Sequence, residues 1–182
     1  MTTPQKVPTV KVLFLSDWKE LGHRSLAGHW IVLRQEDNPQ ERLIATYANL
    51  VGRKDLIRGI GKASIQTIIT AIAAGLPTES VDKVKDLIGV NRGMLSRILN
   101  VSPRTLSRRQ TLKPAASERL FRVSGLFQKA LEVLGDRSEA QRWFTTPKKA
   151  LGGSTPFEYS ETEVGAGEVG DLLGRIEYGV YS

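Results

Sequence analysis

Leu95-Ser96-Arg97-Ile98-Leu99-Asn100-Val101-Ser102-Pro103-Arg104-Thr105-Leu106-Ser107-Arg108-Arg109 is the stretch that decides how this chain is read. Ser102 is a strong N-cap residue, and Pro103 suits the first helical position, where its missing N–H costs nothing. The pair starts a new helix within three residues of the previous one. Asn100 stands where the chain must turn sharply, and after Gly it is among the residues that best tolerate positive φ. Ser96 offers a short side chain for a close helix crossing, while Val101 and Leu106 are spaced to plug the corner. Two helices joined by so short a turn form a helix-turn-helix.

With Leu106 facing inward, Pro103, Arg104, Ser107 and Arg108 turn outward. Hydroxyl and guanidinium groups at the start of a helix are what a recognition helix presents to base edges and phosphates. The candidate DNA-binding residues are therefore Ser102, Arg104, Thr105, Ser107, Arg108 and Arg109. A plain packed helix pair can share this spacing, but here the basic run coincides with the outward face.

Charge supports that reading. Residues 1–114 carry 18 Lys and Arg against 9 acids, whereas residues 115–182 carry 8 against 10. The first part is suited to a polyanion and the second is not. The 182-residue chain has no cysteine, which excludes disulfides, thiolate metal sites and a Cys nucleophile. Its start, MTTPQKVPTV, lacks a signal-peptide run, and Ile65 to Leu76 is too short to span a bilayer. These features predict a soluble, cytoplasmic protein with no membrane partner.

Around the central stretch the pattern is helical. Ser64 can cap a helix carrying Ile65, Ile68, Ile69 and Ile72 and ending at Gly75. Val81, Val84, Leu87 and Ile88 mark a second helix that stops at Gly89, and Asn91 caps the one bearing Met94, Leu95, Ile98 and Leu99. A long helix from about Ala115 to Leu134 has Leu120, Val123, Leu126, Phe127, Ala130, Leu131 and Leu134 on its apolar positions, enough for a core and a dimer seam. Ser138 opens a short helix through Trp143 and Phe144, and Pro147 to Pro156 is a Gly-rich loop. The last helix, about Glu161 to Tyr178, has Val164, Val169, Leu172, Leu173 and Ile176 assigned to one side. Residues 11–58 are harder to read: Val12 to Leu15 and Trp30 to Leu33 leave helix and strand open, and Asn38-Pro39 marks a turn.

Other constellations fail on spacing. Gly59-Ile60-Gly61-Lys62 lacks the earlier Gly and the Ser/Thr of a phosphate loop, with Leu56 and Ala63 in those places. His23, His29, Asp17 and Ser16 make neither a metal motif nor a strained-turn triad. No catalytic residue, metal site or cofactor is expected, and Trp143-Phe144 reads as core.

Trp143, Pro147, Ala150-Leu151-Gly152-Gly153 and Thr155-Pro156, followed by Arg175-Ile176-Glu177-Tyr178-Gly179-Val180, resemble the toxin-binding domain of Xre/MbcA/ParS-type antitoxins. That domain has a W-x-x-x-P-x-x-A-L-G-G-x-T-P core and an R-I-E-x-G-V ending. The likeness extends upstream through Gly75-Leu76-Pro77 and Ser102 to Leu106, covering about residues 60–182. It implies a type II antitoxin that neutralises a RES-domain, NAD-degrading toxin by contact and represses its own operon. The expected fold is predominantly all-α, with an N-terminal tail and poorly readable segment (1–58), a helix-turn-helix domain (59–114) and a helical dimerisation and toxin-binding domain (115–182). The partners are the RES-domain toxin, operator DNA and a second copy of the chain, within a larger hetero-oligomer. A stand-alone repressor whose C-terminal half only dimerises is the alternative.

A toxin that binds the NAD pyrophosphate needs cationic groups in its pocket. The acids Glu168, Asp171 and Glu177 can pair with those cations, and Tyr178, Val180 and Tyr181 can fill an apolar part of the cleft. Arg175 is the odd charge, four residues from Asp171 and able to pair with it. These seven residues are the expected toxin contacts.

Overall fold

The computed structural model describes residues 11–14, 29–32, 39–52 and 65–179. Strands β1 (Lys11–Phe14) and β2 (His29–Val32) pair in parallel, Lys11 opposite His29. Helices follow: α1 (Pro39–Val51), α2 (Ile65–Ala74), α3 (Glu79–Ile88), α4 (Arg92–Leu99), α5 (Pro103–Arg108), α6 (Pro114–Leu134) and α7 (Arg137–Thr145). A 3-10 turn at Lys149–Leu151 leads to α8 (Pro156–Tyr159) and α9 (Glu163–Glu177). The fold is predominantly helical, as expected, and both strands fall in the segment whose character was open. Ser64, the Gly59–Lys62 stretch, His23, Asp17 and Ser16 lie outside the described residues.

Helix α6 is the centre of the molecule. Its Leu120, Val123, Phe127, Ala130 and Leu131 are buried, with Ser117, Ser124 and Gln128 buried between them. Helices α1, α2, α3, α4, α7 and α9 all pack on it. One hydrophobic cluster runs from Leu50, Val81, Leu87, Leu95 and Leu106 to Phe144, Phe157 and Leu173. Within it Phe144 meets Phe127 edge-on at 5.4 Å between centroids and Phe157 at 6.2 Å, the arrangement that the ring quadrupoles favour. Each fully buried phenylalanine contributes about 1.5–3 kcal/mol by leaving water. With six other helices packed on it, the long helix is core, as expected, and its Phe121, Leu126 and Leu134 are half-buried.

Polar groups tie the helix ends to their neighbours. The last carbonyls of a helix lack intrahelical donors and need partners. At the end of α1, Leu50 O accepts from Ser80 Oγ at 2.6 Å and from Lys83 Nζ at 3.2 Å. At the end of α3, Leu87 O accepts from Gln141 Nε2 at 2.7 Å and from the Arg137 guanidinium at 3.4 Å. Leu99 O, ending α4, accepts from Arg119 Nη1 at 3.2 Å. Burial pushes both Lys83 and Arg137 below their ordinary pKa, with Glu79 and Asp86 respectively opposing the shift. Helix α1 is further held by the Arg42–Glu132 ion pair at 3.3 Å and by Thr46 Oγ1 donating to Gln128 Oε1 at 2.8 Å. Helix α7 begins at Arg137, one residue before the expected Ser138, because Asp136 is the cap and accepts from Glu139 N at 3.0 Å. Hydrogen bonds, foremost from the Ser138 hydroxyl, hold the Asp136 carboxyl below its ordinary pKa.

Gly75 marks the tightest approach in the N-terminal half. Its φ is +106°, and a Cβ there would lie 2.3 Å from Leu112 O. Gly153, at φ +87°, has nothing within 4 Å of such a Cβ. Gly75→Ala is expected to lower the urea midpoint much more than Gly153→Ala, whose cost is the left-handed conformation alone, about 1–2 kcal/mol. Equal losses in the two variants would show that the Leu112 contact carries no weight.

Candidate functional site

The helix-turn-helix is formed by α4 and α5. Asn91 caps α4, its Oδ1 accepting from Met94 N at 2.9 Å. Asn100 closes α4 in the left-handed region at φ 52°, the one non-glycine with positive φ among the described residues. Its N–H donates to Arg97 O at 2.9 Å, and Val101 N to Ser96 O at 3.0 Å, so the turn satisfies the carbonyls that the helix end leaves open. Ser96 is buried at the crossing, Leu106 is 2% exposed and Val101 is half-buried, the placements that the spacing predicts.

Ser102 caps α5, its Oγ accepting from Thr105 N at 3.1 Å and sharing a hydrogen bond with Thr105 Oγ1 at 2.8 Å. Ser107 Oγ donates to Pro103 O at 3.1 Å. The three hydroxyls thus serve the helix itself. Arg104, Arg108 and Arg109 are exposed and make no ion pair among the described residues. The same holds for Arg97 on α4 and Lys113 beyond α5. Five uncompensated cations therefore surround one short helix, a concentration of positive potential suited to a phosphate backbone.

A backbone clasp fixes the far end of α5. Thr78 N donates to Gln110 O at 2.8 Å, Leu112 N to Leu76 O at 2.9 Å, and Pro77 bridges Thr111 in antiparallel fashion. Thr78 Oγ1 donates to Arg109 O at 2.8 Å. Ser117 Oγ, buried on α6, accepts from Leu76 N at 2.9 Å, which anchors the clasp to the central helix. Local sequence carries no sign of this clasp, since its strands are more than thirty residues apart.

In the other half, Pro147 to Pro156 builds a rigid corner. Gly152 and Gly153 are both left-handed, at φ 63° and 87°. Thr155 and Glu158 form a capping box: Thr155 Oγ1 accepts from Glu158 N at 3.1 Å, and Glu158 Oε2 accepts from Thr155 N at 3.3 Å. Pro156 then opens α8, and Thr162 Oγ1, accepting from Gly165 N at 3.0 Å, caps α9. Phe144 is buried and Trp143 half-buried beneath Lys148 Nζ, 5.5 Å from the ring centroid, so the aromatic pair is core. Burial, and then Arg142, push Lys148 below its ordinary pKa.

Helix α9 lies back along α6 with Ala166, Val169 and Leu173 buried. Glu168, Asp171, Arg175 and Tyr178 are all exposed, spaced so that they line one outward stripe. Glu177 is half-buried on the flank, and Val180 and Tyr181 lie outside the described residues. Two expectations are corrected here. No ion pair joins Arg175 to Asp171 among the described residues. Val164, assigned to the inward side, is 78% exposed and stands on the same outward stripe. It is five residues from Val169, and five residues turn a helix by about 140° beyond a full turn. Among the described residues no group of acidic or His side chains is arranged to hold a metal, and no described helix is long and apolar enough to cross a membrane.

Comparison with known proteins finds two families along the chain. Residues 67–125 match the antitoxin Xre-like helix-turn-helix domain, and residues 129–179 match the antitoxin Xre/MbcA/ParS C-terminal toxin-binding domain. Neither is an enzyme family. The protein named antitoxin Xre from Yersinia enterocolitica serotype O:8 / biotype 1B is 33% identical over 120 residues, which is 63% of this chain and 81% of that protein. One of the same name from Photorhabdus laumondii subsp. laumondii is 34% identical over 113 residues, 59% of this chain and 76% of its own. A third, from Pseudomonas putida, is 34% identical over 74 residues and is covered over 46% of its length.

The left-handed turn residue makes a direct test of the helix-turn-helix geometry. Asn100→Gly is expected to leave stability within a few tenths of a kcal/mol, whereas Asn100→Ala should cost about 1 kcal/mol, read from the urea midpoint. Ala tolerated as well as Gly would contradict the turn conformation.

Proposed function

This chain belongs to the Xre antitoxins, and from that premise we propose that it neutralises a RES-domain, NAD-degrading toxin by direct contact and represses its own operon. Residues 59–114 read the operator and residues 115–182 meet the toxin. What carries the reading is the separation of two unlike surfaces on one framework. Around α5 stand five cations without acidic partners among the described residues, and along α9 stands a stripe with Glu168 and Asp171 exposed.

On the DNA side, Arg104 and Arg108 are one turn apart on the outward face of α5 and reach base edges, while Arg109 and Lys113 meet phosphates. Ser102, Thr105 and Ser107 hold the helix start in register. A lone recognition helix reads few base pairs, so two copies bind a two-fold operator as a homodimer within a larger toxin–antitoxin assembly. On the toxin side, the pocket for a pyrophosphate ligand is cationic, and Glu168, Asp171 and Glu177 are its counter-charges. Tyr178, with Val180 and Tyr181, fills an apolar part of the cleft.

Two variants separate the functions. Arg104→Ala with Arg108→Ala is expected to abolish the operator footprint, at about 1–3 kcal/mol for each base edge that an arginine no longer reaches. The same variant should protect cells from the toxin as well as the unaltered chain does. Deletion of Arg175 to Ser182 is expected to do the reverse, binding operator but failing to protect. A footprint retained by the double variant would move recognition away from α5. Full protection by the truncated chain would move the toxin contact to the Pro147–Pro156 corner.

A further inference from the structure

The two most exposed large apolar side chains among the described residues are Val164 at 78%, in the first turn of α9, and Tyr178 at 72%, the residue that caps its end. Counted from Val164, the outward positions of α9 are Glu168, Asp171 and Arg175, and the capping Tyr178 continues the line, at spacings of four, three, four and three residues. That is the repeat of a single helical stripe, about 21 Å from end to end at 1.5 Å per residue. It is apolar at both ends and charged in the middle.

Val164 is an unfavourable residue for its place. The first turn of a helix favours Asp, Glu or Ser, and a β-branched apolar side chain there gains nothing from the dipole and little from propensity. Yet this end of α9 is one of the most firmly fixed points in the C-terminal half. A Cβ on Gly165 would lie 1.9 Å from Tyr159 O, so only glycine lets α9 press against the end of α8. Arg122 on α6 binds Glu163 at 2.5 Å and donates to Glu161 O at 3.1 Å. Thr162 caps the same turn. Val164 is thus held rigidly outward, with Tyr159, itself 36% exposed, at the neighbouring helix end. A rigid, pre-positioned apolar group loses little entropy on being covered.

We infer that the toxin docks along the whole outward stripe of α9, with Val164 as an apolar anchor at the end of the helix remote from the chain terminus. This rests on the proposal that a RES-domain toxin is the partner. The toxin surface that fits has an apolar depression for Val164, cationic groups facing Glu168 and Asp171, and a second apolar site for Tyr178 some 20 Å away by the helical rise. The stripe lies inside the segment that matches a toxin-binding domain family. Its central acids suit it poorly to DNA, and a two-fold axis passing beside Asp171 would set the two Asp171 carboxylates of paired copies together.

The test uses the full chain and a catalytically inactive RES-domain toxin expressed from the same operon, with affinity measured by calorimetry. Val164→Asp is expected to weaken binding by about 10- to 100-fold, the range of an interface hot spot, while Val164→Ile stays within about threefold. Neither variant should lower the thermal midpoint, which Val164→Asp should raise slightly by placing an acid in the first turn, and operator binding should not move, because Val164 touches neither the core nor α5. Toxin affinity unchanged in Val164→Asp overturns the inference and confines the contact to the C-terminal end. A change in the mass of the free chain with toxin binding intact also overturns it, and assigns the stripe to a second copy. Failure of the unaltered chain to bind the toxin removes the proposed partner and this inference together.

Discussion

Enclosure of α6 is the constraint on which the rest of the structure depends. Leu120, Val123, Phe127, Ala130 and Leu131 leave water only because six other helices cover them. Those helices include α4, which belongs to the helix-turn-helix, and α9, which carries the exposed stripe of Glu168, Asp171 and Arg175. The two halves therefore share one hydrophobic cluster, in which Leu95 and Leu106 belong with Phe144 and Leu173. Two matched families meet along this helix, at residues 125 and 129, with no linker between them.

Function follows from what the shared core leaves outside. Because Leu106 and the Leu76–Leu112 clasp hold α5 at both ends, its arginines project from a fixed platform, and little order has to be acquired on meeting DNA. The C-terminal corner does the same for α9. Gly152 and Gly153 turn the chain, the Thr155–Glu158 box and Pro156 restart it, and Gly165 sets α9 against α8. Neither surface borrows residues from the other, so the cations around α5 and the acids of α9 can be altered independently.

Much of this was legible in the sequence because it is local. The cap residues Asn91 and Ser102, the left-handed Asn100 and the stripes of α3, α4 and α6 announce themselves within a few positions. Helix α1 was hidden for a physical reason. Its buried face includes Thr46 and Asn49 beside Ile44, Ala45 and Ala48, so polar residues interrupt the apolar repeat. The α5 clasp was illegible because it pairs backbone more than thirty residues apart. Val164 was misplaced because apolar character outweighed angular position, and counting five residues to Val169 would have turned it outward. Of the glycines of α9 only Gly165 is required by a close approach, and a Cβ on Gly167 would meet nothing within 4 Å.

If one core supports both surfaces, the halves open together. Native-state hydrogen exchange tests this directly, comparing the buried amides of Leu95 and Leu99 on α4 with those of Val169 and Leu173 on α9. Both sets are expected to exchange through a single global opening, with the same free energy and the same dependence on denaturant. Exchange of the α9 amides through a separate, lower-energy opening, while α4 stays protected, would contradict the shared core.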